Sequence, residues 1–256
     1  MSFSDKVILV TGAGSGIGKG IAIHFARLSA KLSLIDSNSE NLNSVAQECE
    51  NISKMKVFKV FTDITVRDDI KNAVNDTVRH FGTINVLMNC AEIGSRVGIF
   101  SPNLMTIMEK IIAVNLKAAI AFTHYAADSL IENKGNVINI ASLFASTVIK
   151  EALPYSVSKA GLVHFTRCAA LELADKGVRV NCISPGPVRS NMVLGEFETK
   201  EENDRHWETW AKEAPLKHLV TEDEVAELAE FLASNKARSV TGTDYIIDCG
   251  WSVQKC

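Results

Sequence analysis

The chain has 256 residues, of which 46% are hydrophobic and 22% charged, and its 27 Lys and Arg against 30 Asp and Glu give a net charge of −3. That composition excludes a disordered or collagen-like chain, and the length suits one large domain or two small ones. With no run of five like charges, the sequence offers no electrostatic footprint for nucleic acid or an anionic membrane surface. The longest apolar stretch, 111–125, is interrupted by Asn115, Lys117 and His124, and a bilayer span needs about 20 mostly apolar residues. No export signal is visible at the N-terminus, and the six cysteines lack CxxC spacing, so they read as reduced thiols, mostly buried, of a cytoplasmic chain.

In chain order, a β-branched run at 6–10 (KVILV) leads into Thr11-Gly12-Ala13-Gly14-Ser15-Gly16-Ile17-Gly18, and Ile17, Ile21, Ile23 and Phe25 then recur at helical spacing. Strand, glycine-rich turn and helix in that order form the context in which glycines let a backbone approach a pyrophosphate and a helix N-terminus presents free N–H groups to it. The second strand, 31–36, ends on Asp36, 18 residues beyond Gly18. A carboxylate there accepts hydrogen bonds from ribose hydroxyls and repels an extra phosphate, which favours NAD over NADP. Lys19 is the nearest cation and reads as a surface charge. A helix over 40–50 and a strand over 56–62 follow, the latter leading to Asp63, which suits either a ligand contact or the N-cap of a helix from about Val66 to Phe81.

The fourth strand, 84–90, precedes a helical pattern over 103–132 in which Asn115 is a polar amide in apolar surroundings and needs a hydrogen-bonded role. The fifth strand, 135–141, ends beside Ser142, and a helix over 154–175 carries Tyr155 and Lys159 at i and i+4, on one face. An ammonium beside a phenol lowers its pKa from about 10 toward a range useful for proton exchange. A sixth strand over 178–184, a helix over 222–234 and a strand over 244–249 complete the alternation. Such alternation predicts an α/β chain, one doubly wound domain spanning 1–256 with a parallel sheet of about seven strands. Residues 186–221 interrupt it with Met192, Val193, Leu194, Phe197 and the pair Trp207 and Trp210, and read as a substrate loop or lid apolar enough for a lipophilic substrate. The six histidines show no metal spacing and no convincing carboxylate partner, so no metal is expected.

TGAGSGIG (11–18), Asp36, DI (63–64), NCA (89–91), VN (114–115), Ser142, YSVSK (155–159) and PGPV (185–188) together resemble the short-chain dehydrogenase/reductase family over essentially the whole chain. The resemblance implies a single Rossmann-like domain. It also implies a cofactor site of Gly12, Ser15, Gly16, Ile17, Gly18, Asp36, Asp63, Ile64, Asn89, Ala91, Tyr155, Lys159, Pro185, Gly186, Val188 and Ser190. On that pattern Tyr155 exchanges the proton with the substrate oxygen, Lys159 binds the nicotinamide ribose and tunes Tyr155, Ser142 positions the oxygen and Asn115 supports a water relay. The implied activity is hydride transfer between a secondary alcohol or ketone, steroid or isoprenoid in type, and NAD, in a homotetramer or homodimer. An NADP-dependent carbonyl reductase and a catalytically silent dinucleotide-binding scaffold are the alternatives. One departure stands out: the family's Asn-Asn-Ala-Gly after the fourth strand is Asn89-Cys90-Ala91-Glu92 here. Glu92 is expected to turn toward solvent, since a carboxylate near the cofactor repels its phosphates.

Overall fold

The structure, a computed structural model, describes residues 3–189 and 199–254. Seven parallel strands form one sheet: β1 (Val7–Thr11), β2 (Lys31–Asp36), β3 (Phe58–Phe61), β4 (Val86–Asn89), β5 (Asn136–Ile140), β6 (Arg179–Pro185) and β7 (Asp244–Ile247). Their order is β3-β2-β1-β4-β5-β6-β7. The chain therefore builds outward from β1 in one direction and, after β3, returns to build outward in the other. Beyond the carboxyl ends of β1 and β4, where this reversal occurs, the connecting segments diverge and leave a crevice.

The helices are α1 (Gly16–Arg27), α2 (Ser39–Ser53), α3 (Arg67–Phe81), α4 (Leu104–Ile112), α5 (Ala118–Glu132), α6 (Leu153–Leu173), α7 (Lys200–Glu213), α8 (Glu222–Ala233) and the short α9 (Trp251–Gln254). All of β1 is buried, because helices cover both faces of the sheet. Ile8 and Val10 pack with Ile21 and Phe25 of α1 and Val225 of α8, whereas Leu9 faces Ile70 and Val74 of α3 and Phe122 of α5. Two apolar layers thus share the sheet as a common floor.

The predicted strands all form, with ends shifted by a few residues. The pattern over 103–132 is not one regular helix: Ala113–Lys117 is a π-helical stretch joining α4 to α5, and it contains the buried Asn115. A π turn inserts one extra residue per turn and resets the direction of the side chains around it. Within the 186–221 excursion, α7 is longer than the two tryptophans suggest. It opens with a capping box in which the Thr199 hydroxyl accepts from the Glu202 N–H and the Glu202 carboxylate accepts from the Thr199 N–H.

Two surface expectations differ in outcome. Lys19 pairs with Glu48 on the surface, 3.1 Å away. His24 does have a carboxylate partner, Glu230 Oε2 at 2.7 Å, contrary to expectation. The two residues are 206 positions apart, and only the packing of α1 on α8 brings them together. That packing is close: a Cβ on Gly20 would lie 2.7 Å from Glu222 Cβ. Gly20→Ala is accordingly expected to cost about 2 kcal/mol through overpacking, lowering the thermal midpoint by about 4–8 °C. An unchanged melting curve would show that α8 can slide away freely.

Candidate active site

The glycine-rich turn is held by both neighbouring strands. Ala13 N donates to Ile35 O and Gly14 N to Asp36 Oδ2, at 3.1 and 2.8 Å. Thr11 Oγ1 accepts from the N–H groups of Cys90 and Ala91, at 3.0 and 3.2 Å, which ties the turn to the end of β4. Gly12 has φ of +64°, and a Cβ there would lie 2.7 Å from Ala91 Cα. A Cβ on Gly18 would meet Gly12 O at 2.2 Å. Both positions therefore require glycine, one for conformation and one for close approach. Ser15 begins α1 without a side-chain cap bond, leaving the first-turn N–H groups without a side-chain acceptor. These features fit the pyrophosphate of a dinucleotide.

Asp36 ends β2 with both oxygens engaged, Oδ2 by Gly14 N and Oδ1 by Asn38 N at 2.8 Å. Asp63 does not cap α3, whose N-cap is Val66. Instead Asp63 Oδ1 closes a local turn by accepting from the N–H and hydroxyl of Thr65, and these bonds hold its carboxyl below the usual range. Both carboxylates border one cavity of about 870 Å³ beyond the carboxyl ends of the strands, a volume suited to a small-molecule site.

From the turn, Gly12 and Ser15 to Gly18 line that cavity; Ile64, Ala91, Pro185, Gly186 and Val188 add backbone and apolar wall, and Ser142 and Tyr155 supply hydroxyls. Three predicted residues lie behind the wall. Asn89 Nδ2 donates to Asn139 Oδ1 at 2.8 Å inside the sheet layer, within a network that reaches Thr166 through Asn139 Nδ2. Asn115 and Lys159 are each 1% exposed. Ser190, Met192, Val193, Leu194 and Phe197 lie outside the described residues.

Asn115 has the hydrogen-bonded role its burial demands. Its Oδ1 accepts from Ile93 N at 2.9 Å, and its Nδ2 donates to Ile93 O at 3.0 Å and to Ser158 Oγ at 3.2 Å. The amide clamps the segment after β4 onto α6. Ser142 Oγ accepts from Phe144 N at 3.2 Å, and its hydroxyl stands near the Tyr155 phenol, where it favours the ionised form. Lys159 Nζ donates to Ile140 O at 2.8 Å and lies 5.4 Å from the centre of the Tyr155 ring.

Glu92 reverses its expectation. Its side chain is 15% exposed and turns inward, forming an ion pair with Lys159 Nζ while Oε2 accepts from Tyr155 Oη at 3.0 Å. The physical reason is Lys159. A buried ammonium with a single carbonyl partner is costly, and Glu92, held next to the clamped Ile93, is the anion within reach. A second expectation changes with it. Enclosure of the phenol, reinforced by the charge of Glu92, holds Tyr155 well above the ordinary tyrosine range despite the opposing effect of Ser142. Lys159 is neutralised by Glu92 and so does not lower the phenol in this arrangement.

The far wall comes from α7. Trp207 and Trp210 line the cavity, stand edge-to-face with ring centres 6.1 Å apart, and Trp210 also tilts against Trp251 at 5.4 Å. Phe144, which lies edge-on to Tyr155, and Ile149 complete an apolar rim, and neither stood out in the sequence. Among the described residues no group of three or more His, Cys, Asp or Glu side chains converges as a metal site. The five described cysteines are free thiols. No described helix is long and apolar enough to cross a membrane.

Comparison with known proteins agrees with this arrangement. A family model described as enoyl-(acyl carrier protein) reductase matches residues 12–252. A cyclohexanol dehydrogenase of Acinetobacter sp. is 33% identical, over 96% of this chain and 94% of its own. A borneol dehydrogenase of Lavandula x intermedia is 32% identical, over 97% and 91%. The crystal structure of a short-chain dehydrogenase/reductase of unknown function from Caenorhabditis elegans, with cofactor, superposes with a TM-score of 0.90 at 28% identity, covering 98% of this chain and 96% of that one.

Proposed function

Since the chain belongs to the short-chain dehydrogenase/reductase family, whose members are oxidoreductases that bind a nicotinamide dinucleotide, we propose that it interconverts a lipophilic secondary alcohol and its ketone with NAD. The observation that carries this reading is the meeting of two halves in one cavity: the glycine-rich turn with Asp36, and the Ser142–Tyr155 hydroxyl pair backed by Lys159. The residues fit the cofactor, because at Gly16, which opens α1 beside the cavity, nothing lies within 4 Å of the place a Cβ would take. Asp36 supports NAD, since its carboxylate suits ribose hydroxyls and opposes a phosphate. With NAD, oxidation of the alcohol is the favoured direction.

The bound dinucleotide supplies the hydride acceptor or donor. Tyr155 Oη takes the hydroxyl proton of the alcohol, or returns it to the ketone oxygen. Ser142 donates a hydrogen bond that fixes the same oxygen. Lys159 holds the nicotinamide-side ribose and, with its charge no longer cancelled, stabilises the phenolate. Asn115 contributes by clamping Ile93 and Ser158, through two of its neighbours in the fold. Within the excursion, α7 covers the cavity with Trp207 and Trp210, and Phe144, from the segment after β5, completes the apolar lining. That lining, and relatives acting on cyclohexanol and borneol, support an isoprenoid or steroid substrate over a charged one.

The test is a screen of isoprenoid, steroid and simple secondary alcohols with NAD and NADP. Turnover with NAD exceeding that with NADP supports the reading; faster NADP turnover indicates the carbonyl reductase, and dinucleotide binding without any turnover the silent scaffold. Asp36→Asn, which removes the charge but keeps an acceptor for Gly14 N, is expected to raise the NADP-to-NAD ratio of kcat/KM about tenfold or more, about 1.4 kcal/mol. An unmoved ratio would place cofactor choice elsewhere.

A further inference from the structure

Glu92 treats the Tyr155–Lys159 pair as a ligand would. One carboxylate oxygen, Oε2, accepts from the phenol at 3.0 Å and pairs with the buried ammonium. An oxygen that takes both at once holds the proton on the phenol and leaves Lys159 one of its three N–H groups beyond Ile140 O. The contact is also built, not incidental. Asn115 fixes the N–H and the carbonyl of Ile93, so the carboxylate is delivered by a clamped segment, and among the described residues Ile140 O is the one other hydrogen-bond partner of Lys159.

We propose that Glu92 is a positioning residue whose carboxylate occupies the catalytic pair in the cofactor-free protein, competes with the nicotinamide-side ribose for Lys159, and leaves when a dinucleotide binds. This rests on the dinucleotide reading above. The ionisable groups facing the carboxylate are Lys159, Tyr155 and the Cys90 thiol, which burial and the Glu92 charge push up. Arg96, Lys110, Lys150 and Glu151 line the same cavity. A closed arrangement lowers apparent affinity by the fraction of molecules left open. Charge repulsion of the cofactor phosphates, the other way a carboxylate here can weaken binding, acts on the pyrophosphate instead and is separable by experiment.

The experiment titrates cofactor-free wild type, Glu92→Gln and Glu92→Gly with NADH and with ADP, following quenching of tryptophan emission. NADH is expected to bind about tenfold more tightly to both variants, which corresponds to about one wild-type molecule in ten being open. ADP, which lacks the nicotinamide-side ribose, is expected to bind all three proteins equally, and this equality also reports that the variants are folded. Equal NADH affinities overturn the proposal, and so does a gain shared by ADP, which marks phosphate repulsion. If neither ligand binds any of the proteins, the dinucleotide reading itself fails and carries the proposal with it. A second readout uses tyrosinate absorbance, with Tyr155→Phe identifying one signal among the three tyrosines. Tyr155 is expected to ionise at lower pH in Glu92→Gln, its proton affinity reduced about tenfold; an unmoved titration overturns the proposal.

Discussion

Tyr155→Phe is expected to lower kcat/KM for the best alcohol by about a thousandfold, equivalent to about 4 kcal/mol, with most of the loss in kcat. The phenol donates to a carboxylate at the cavity wall with the Ser142 hydroxyl nearby, and no other hydroxyl of the described cavity is placed in this way with a lysine behind it. Its ring, edge-on to Phe144 with centres 6.4 Å apart, is retained in phenylalanine. Packing should therefore survive and the thermal midpoint should change little. A variant that turned over within tenfold of wild type would remove Tyr155 from the proton path, whatever its position.

Lys159→Met is expected to destabilise the cofactor-free protein by about 3 kcal/mol, measured by denaturant unfolding. The methionine chain replaces the buried stem well enough. What is lost is the cation, which leaves the largely enclosed Glu92 carboxylate without its partner, and breaking such a pair from one side costs about 3–5 kcal/mol. The lower figure is used because Glu92 retains some contact with solvent. Glu92→Gln alone strands the ammonium and is also destabilising. The double variant, with neither charge, should recover about 2 kcal/mol relative to Lys159→Met, since groups in direct contact do not contribute additively. If the double variant were as unstable as the sum of the two singles, the ion pair would have no energetic reality.

Much of the layout is legible in sequence for physical reasons. Strands of a two-sided parallel sheet are mostly apolar on both faces, so VILV at β1 stands out as a continuous run. Tyr155 and Lys159 share a helix face by spacing alone, and the turn glycines announce themselves by number. The direction of Glu92 is not local information: it is set by Lys159, 67 residues later, and by an asparagine clamp from a third segment. The His24–Glu230 pair is hidden for the same reason. The helix α7 is obscured by its composition, KEENDRHWETWAKE, in which few apolar residues mark a face. Its start was nevertheless written in Thr199 and Glu202, at the spacing of a reciprocal cap.

The reversal of strand order at β1 and β4 has a consequence for how such a protein can change. Asp36, at the end of β2, stands on one half of the sheet, while Ser142 and Tyr155 follow β5 and open α6 on the other. Asp36 bonds Gly14 and Asn38, whereas Ser142 bonds Phe144 and Tyr155 bonds Glu92, so these sites share no hydrogen-bond partner, and effects of such separate sites combine additively. Preference for one dinucleotide over another can thus drift without disturbing proton transfer, and the oxygen-binding chemistry can be retuned without relearning the adenosine end. Glu92 sits on the segment leaving β4, at the seam between the halves. Through Lys159 it makes the two inheritances negotiate.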